Sequence, residues 1–249
     1  MSLLCQYNKD KEGTSLLILE QARKKGNVTL DPDTAHPNLV LSNDLKRVRW
    51  ESRKQELPDN PERFDWEPFV LGPERFTSGR HWWEVEVEET KGMQPTGGVQ
   101  ASVRRKGDIG QSPNEGRWET EELAAQWEIW AVGVARESII RKGKINLDPN
   151  GGFWALGKAL HDSLRTPFSP YQLTAFTSPT RTLLSLRHEP RKIRVFLDYE
   201  ESRVDFFDGD TNDLIFTFPS FSFNGERLCP FFWVYWGATC ANVLYLPGE

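Results

Sequence analysis

The chain of 249 residues carries a formal net charge of −5 at pH 7, and 38% of its residues are hydrophobic. This acidic balance argues against a general nucleic-acid-binding surface, which normally carries a basic stripe. A membrane-spanning helix needs about 18 or more consecutive apolar residues. No such run occurs in the sequence, so we predict no direct membrane insertion.

Residues 14–25 predict a short helix ahead of the first strand candidate. Thr14 or Ser15 can cap its start, and Gly26 can end it. A helix of this length is marginal in isolation, so it must pack on a partner. Two alternatives are open: the helix docks on its own domain, or it is the tail of a coiled coil or a segment after a membrane span. A coiled-coil tail, or this helix itself, would mediate dimerisation.

From Gly26 onward the sequence consists of short strand candidates separated by clusters of Gly, Pro, Asn and Asp. This pattern predicts an all-β antiparallel sandwich. In residues 81–88, Trp83, Val85 and Val87 point one way and the intervening glutamates point the other. Residues 193–207 predict a hairpin that turns at 200–202. The candidates are residues 28–30, 39–41, 46–50, 81–88, 129–134, 152–156, 193–199, 204–207, 214–218, 229–236 and 243–246.

Residues 91–127 interrupt this pattern. They are rich in Gly, Pro and charged residues, with one or two helical turns predicted at 119–127. Loops longer than about 15 residues are usually functional or disordered, and we predict disorder for most of this insertion. It would connect two strands that are near neighbours.

The residue types used in catalysis are present without a catalytic arrangement. No phosphate-binding loop, dinucleotide fingerprint, serine-hydrolase elbow or zinc-protease motif occurs. Cys5, Cys229 and Cys240 form neither a disulfide framework nor a zinc pattern, which predicts a reducing, cytoplasmic location. Cys229 and Cys240 are expected to be small core residues. The histidines lack ligand spacing and are expected to hydrogen-bond in strands and turns; they are His36, His81, His161 and His188. We therefore predict no catalytic residue, no metal and no cofactor.

Several motifs in a fixed order resemble those of PRY–SPRY domains, the recognition modules of tripartite-motif (TRIM) proteins and butyrophilins. The opening motifs are Leu-Asp-Pro-Asp-Thr-Ala-His-Pro at 30–37, Leu-Pro-Asp-Asn-Pro-Glu-Arg-Phe-Asp-Trp at 57–66 and Ser-Gly-Arg-His-Trp-Trp-Glu-Val-Glu-Val at 78–87. Trp-Ala-Val-Gly-Val-Ala at 130–135 and Leu-Asp-Tyr-Glu at 197–200 resemble later strands of the same family. The resemblance covers roughly residues 27–246 apart from the insertion.

This resemblance implies a bent antiparallel two-sheet β-sandwich of the concanavalin-like jelly-roll type, with a short N-terminal helix. After an N-terminal extension at 1–26, a PRY segment at 27–76 and a SPRY segment at 77–249 would fold as one domain. Variable loops at one end of the sandwich would bind a protein. Here those loops are residues 53–69, 137–149, 158–182 and 233–237.

Aromatic and polar residues of these loops form the predicted partner-binding site. Trp83, Trp130 and Trp154 are expected in the core, whereas the pattern leaves open whether Trp233 and Tyr235 are core or surface residues. As surface anchors, they could be replaced by alanine with loss of partner capture and little change in melting temperature. The predicted site residues are Trp66, Glu67, Lys144, Asn146, Thr174, Trp233, Tyr235 and Trp236.

One butyrophilin group uses this domain to sense phosphorylated isoprenoid metabolites through a basic pocket. By motif position, the His of that pocket falls at Glu67, its Lys at Asn146 and its Arg at Trp233. A diphosphate needs several Lys or Arg donors, and the Glu67 carboxylate would repel it. A sensor of phosphorylated metabolites is therefore kept only as the alternative.

The leading hypothesis is a non-catalytic module that recognises a protein or peptide. In a tripartite-motif ubiquitin ligase it would be the C-terminal domain that selects a substrate or viral target. In a butyrophilin it would be the signalling tail at the cytoplasmic face of a membrane. Both parents imply a role in innate immunity, and any ubiquitin transfer would belong to a RING domain outside this sequence.

Overall fold

The computed structural model describes residues 26–90, 128–159, 172–218, 222–236 and 241–247. The helix predicted at 14–25, the insertion at 91–127, and Cys5, Cys240 and His161 lie outside the described residues. The predicted all-β architecture of two antiparallel sheets is confirmed. The strands are β1 (Leu39–Leu41), β2 (Arg47–Trp50), β3 (Phe69–Leu71), β4 (Arg80–Thr90), β5 (Glu128–Arg136), β6 (Phe153–Lys158), β7 (Leu173–Ala175), β8 (Thr182–Leu183), β9 (Lys192–Asp198), β10 (Arg203–Asp208), β11 (Leu214–Phe218), β12 (Leu228–Trp236) and β13 (Ala241–Tyr245).

The two sheets interleave strands from both ends of the chain. The seven-stranded sheet has the order β1-β2-β13-β4-β9-β10-β11, and the six-stranded sheet has the order β3-β12-β5-β6-β7-β8. Early strands pair with late ones, β2 with β13 and β3 with β12. The hairpin predicted from residues 193–207 is confirmed as β9 and β10, with Ser202 at a φ of 48° in its turn.

Three expectations about the strands differ from the structure. Residues 28–30 are not a strand, because the Thr29 N–H donates to the Glu74 carboxylate instead of to a neighbouring strand. Strands β3, β7 and β8 are not predicted from the sequence, because two or three residues are too few to show alternation. Strands β4 and β5 lie in different sheets, so the expectation that 91–127 joins neighbouring strands is wrong.

The core between the sheets follows the predicted alternation in β4. Trp83 and Val85 are 1% and 0% exposed and belong to a cluster with side chains from both sheets. Trp130 and Trp154 are also buried in it, as predicted. The intervening glutamates point away from this core. Glu84 is not simply solvated there, because the Arg194 guanidinium pairs with its carboxylate at 2.7 Å.

The six-stranded sheet is also apolar on its second side, which we call the outer face because it is turned away from the seven-stranded sheet. Phe69 lies at its centre, with its ring centroid 5.0–5.8 Å from those of four other aromatic residues. Part of the outer face is covered by Phe64 from the loop before β3 and by Ile139, Ile145 and Leu147 from the loop after β5. This second cluster fixes the positions of both loops.

Gly157 of β6 allows β5 and β6 to approach each other closely on this outer face. A Cβ at Gly157 would overlap the Trp130 carbonyl oxygen and the Ala131 Cα, which are backbone atoms that cannot turn aside. We therefore expect Gly157→Ala to lower the free energy of unfolding by about 2 kcal/mol or more. Chemical denaturation checks this. Gly225→Ala is the control, because a Cβ there meets open space and the φ of 72° alone costs about 1 kcal/mol. Equal losses in both variants would contradict the steric argument.

Candidate functional site

One row of cross-strand partners crosses the outer face from edge to edge. It contains two predicted site residues, Trp233 and Thr174, separated by two residues without bulk. Ala131 carries only a methyl group and Gly157 no side chain, and the Phe176 ring centroid lies 6.1 Å from that of Trp233. Ala131 and Thr174 are 0% and 2% exposed, so the middle of the row is covered. The row consists of Phe69, Trp233, Ala131, Gly157, Thr174 and Leu183.

Glu67 and Tyr235 lie beyond this row, at the same end of the β3–β12 pair. The Val234 N–H donates to the Pro68 carbonyl at 3.3 Å, which continues the β3–β12 pairing past Phe69. This continuation brings Glu67 to the end of β12 that carries Tyr235. The Tyr235 ring meets Trp50 edge-on, with centroids 5.2 Å apart.

The loop that carries Trp66 and Glu67 is held by its own sequence motif. Asn60 Oδ1 accepts the Arg63 N–H at 2.7 Å and fixes the turn. The buried Arg63 guanidinium donates to the carbonyls of Pro58, Pro32 and Ala35 at 3.0, 2.8 and 2.7 Å. The motif at 57–66 is thereby joined to the motif at 30–37.

Two contacts join this loop to the loop after β5. Lys142 Nζ lies 2.7 Å from an Asp59 carboxylate oxygen, and the Gly143 N–H donates to Asp65 at 2.8 Å. Lys144, the next residue, is exposed and lies within electrostatic reach of Glu67. The structure therefore brings Trp66, Glu67 and Lys144 to one corner of the outer face.

Trp66 and Glu67 differ sharply in exposure. Trp66 is 62% exposed, and no other Phe, Tyr or Trp side chain is exposed in the part of the chain that the structure describes. Glu67 is half-buried, and this burial raises the pKa of its carboxyl group, an effect that the charge of Lys144 opposes. The corner thus combines a large apolar surface with a partly desolvated carboxylate.

Trp233 and Tyr235 are neither fully core nor free surface residues. Both are half-buried and pack against the outer-face cluster. The Trp233 ring lies 5.6 Å from that of Phe69. Their replacement by alanine would therefore remove packing as well as surface, so a change in melting temperature is expected at either position.

The remaining predicted residues are placed less favourably for contact. Thr174 lies in β7 and not in a loop; it is 2% exposed, and its hydroxyl donates to the Gln172 carbonyl. Asn146 is exposed in the tight turn of 146–151. Trp236 ends β12, and its side chain lies outside the described residues. Trp233–Trp236 are thus strand residues, because the pairing with β5 continues to Glu128.

Sequence reasoning missed two contributors to this face. Phe69 is marked by the apolar triplet Phe69–Leu71 between Pro68 and Gly72, a pattern that fits a short buried strand. Phe176 is fully buried, and the Arg181 guanidinium lies 5.0 Å over its ring. No local pattern distinguishes Arg181 from the other basic residues around it.

In the described part of the chain, the residue types that catalysis uses have structural roles. A nitrogen of the His81 ring lies 2.7 Å from the Ser78 carbonyl, as expected for a histidine that satisfies the backbone. Burial raises the pKa of the Cys229 thiol to about 11, so at neutral pH it is a protonated core residue. No group of three His, Cys, Asp or Glu in the described ranges is arranged to hold a metal ion. Within the same ranges, no helix has the length and hydrophobicity that a membrane crossing requires.

Two family models and several known proteins match this chain. The PRY family model (SPRY-associated domain) matches residues 28–76, and the SPRY domain model matches residues 117–247. Mouse butyrophilin subfamily 1 member A1 is 40% identical over 230 residues, which cover 90% of this chain and 34% of that protein. Pig E3 ubiquitin-protein ligase TRIM15 is 39% identical over 219 residues, 88% of this chain and 37% of that protein.

The fold has a counterpart among solved structures. The crystal structure of the TRIM65 PSpry domain superposes with a TM-score of 0.60 and 18% sequence identity, covering 94% of each chain. This likeness concerns the fold. The chain spans about a third of the length of the curated relatives it matches.

Proposed function

The chain belongs to the PRY–SPRY family of butyrophilin and tripartite-motif proteins, and from this membership we propose that it binds a protein or peptide at the Trp66 corner of its outer face. Its role is recognition without catalysis. The observation that carries the proposal is the 62% exposure of Trp66 on a loop held by hydrogen bonds on both sides. A tryptophan has only two side-chain torsions, so on a loop whose backbone is held it loses little freedom on binding, and tryptophan is among the residue types enriched in binding hot spots.

The proposed surface belongs to one domain built from two segments of the chain. We assign residues 27–76 and 77–249 to one domain because β2 and β3 have their partners in β13 and β12. The loop with Trp66 belongs to the first segment, whereas Trp233 and Tyr235 belong to the second. A partner at this corner would contact both segments.

The parent protein decides what recognition achieves. In a tripartite-motif ubiquitin ligase, the partner bound here would be the substrate or viral target; in a butyrophilin, it would be a cytoplasmic signalling protein. Both proposals imply a cytoplasmic domain with a role in innate immunity. The sequence upstream of this domain separates them, since it would encode either zinc modules with a coiled coil or immunoglobulin domains with a membrane span.

A phosphorylated-metabolite sensor is the weaker alternative. The half-buried Glu67 carboxylate would stand beside a bound diphosphate and repel it, and only Lys144 contributes an opposing charge to Glu67 among the causes of its raised pKa. Calorimetry with an isoprenoid diphosphate tests this alternative directly. Heat of binding that persists in a Lys144→Ala variant would place such a site elsewhere.

Capture from cell extract tests the proposed surface. We expect Trp66→Ala to reduce capture of specific partners by about tenfold or more, because a tryptophan at the centre of an interface typically contributes 2 kcal/mol or more. The melting temperature should change little, since the ring is mostly solvated. Leu214→Ala is the control, because Leu214 is 36% exposed on the opposite sheet. Unchanged capture by Trp66→Ala, with loss in the Leu214 variant, would contradict the assignment of the surface.

A further inference from the structure

The carboxylates of the loop at 59–67 differ in the contacts that they make. Asp59 pairs with Lys142, and Asp65 accepts the Gly143 N–H. These two contacts hold the loop against the loop after β5. Both carboxylates therefore already have a donor within the chain and do not need one from a binding partner.

Glu67 has no such role in the described part of the chain. Its carboxylate makes no hydrogen bond there and no ion pair within 4.0 Å, and Lys144 acts on it only through a longer-range attraction. Its half-buried position nevertheless removes part of the water around it. A half-buried carboxylate without donors is costly, and a cation that arrives with a partner would relieve that cost.

The surroundings of Glu67 suit one kind of cation. The exposed Trp66 ring precedes it in the chain, and the Tyr235 ring lies at the end of β12 to which Glu67 is brought. An arginine guanidinium stacks on aromatic rings and donates two parallel hydrogen bonds to one carboxylate, whereas a lysine ammonium is a compact and strongly hydrated charge. The combination of indole and carboxylate therefore favours arginine.

We infer that the partner inserts an arginine side chain at the corner formed by Trp66 and Glu67. The guanidinium lies against the indole and donates to the Glu67 carboxylate. Neighbouring apolar side chains of the partner lie toward Trp233 and Tyr235. This inference rests on the proposed function, since it names the chemistry that the same surface recognises.

Selection from a random dodecapeptide library displayed on phage tests it. We expect peptides selected on the wild-type protein to share an arginine at one aligned position, and peptides selected on Glu67→Lys to lose it. Glu62→Lys is the matched control, because it makes the same charge change at an exposed position of the same loop. Arginine enrichment that survives in Glu67→Lys would overturn the inference. Equal loss in Glu62→Lys would also overturn it, since net charge alone would then explain the preference.

A synthetic peptide from the selection gives the quantitative test. Replacing its arginine with citrulline keeps the shape and removes the charge, so binding to the wild type should weaken by about tenfold or more. The same replacement of arginine by citrulline should weaken binding to the Glu67→Gln variant by less than about twofold, because the arginine charge has no carboxylate to pair with in that variant. Equal weakening with both proteins would contradict a contact between the arginine and Glu67.

The selection also separates this inference from the proposed function. Peptides that require Trp66 but share no arginine would overturn the inference and leave the binding surface in place. A selection that yields peptides insensitive to Trp66→Ala would overturn both. So would a selection that yields no peptide above a blank surface.

Discussion

Replacing Trp83 with alanine is expected to lower the free energy of unfolding by about 3–5 kcal/mol. The side chain is 1% exposed in the core between the two sheets, and its ring stacks on that of Phe76 with centroids 5.9 Å apart. Alanine would leave a cavity that neighbours from both sheets cannot fill, because strand pairing fixes their backbones. Urea denaturation followed by circular dichroism measures the loss.

Trp66→Ala is the matched control for this experiment. It makes the same change at a site that is 62% exposed, where surface substitutions usually alter stability by no more than about 0.5 kcal/mol. A loss below about 1 kcal/mol for Trp83→Ala would show that the two sheets do not share the core described above.

Arg63→Met is expected to lower the free energy of unfolding by about 3 kcal/mol: the buried Ala35 carbonyl left without its donor costs roughly 1–3 kcal/mol, and the two part-buried hydrogen bonds to Pro32 and Pro58 contribute about 0.5–1 kcal/mol each. Arg63 is 6% exposed and donates to three carbonyls, which lie in the motifs at 30–37 and 57–66. Methionine has similar length and no donor. Because Arg63 positions the loop that presents Trp66, partner capture should fall together with stability.

Lys142→Met provides the comparison for Arg63. It removes the exposed pair with Asp59 and should leave stability nearly unchanged, since exposed ion pairs contribute little. Similar losses in both variants would indicate that the loop is held by its charge pairs and not by the buried guanidinium.

The alternation in residues 81–88 predicted β4 and its buried face because a period of two reports directly on a strand with one side in the core. The outer face of the six-stranded sheet had no comparable pattern. Residues 129–135 of β5 are apolar on both sides because loops cover the second side. A short sequence window cannot show which distant loop lies over it.

The candidate site was predictable only where a local motif defines it. The motif at 57–66 identifies Trp66 and Glu67 as loop residues, and the structure places them at one corner with Lys144. The placement of Glu67 and Tyr235 at the same end depends on the β3–β12 pairing, which joins residues far apart in the chain. Thr174 was misplaced because β7 has only three residues, too few to appear as a strand in the sequence.

Site-specific photo-crosslinking tests the central claim most directly. A benzophenone amino acid is placed at position 66, and in a second protein at position 214 on the opposite sheet, before each is irradiated in cell extract. Crosslinks to specific proteins at position 66, absent at position 214, are the predicted result. Specific crosslinks at position 214 with none at position 66 would show that this domain recognises its partners through a different face.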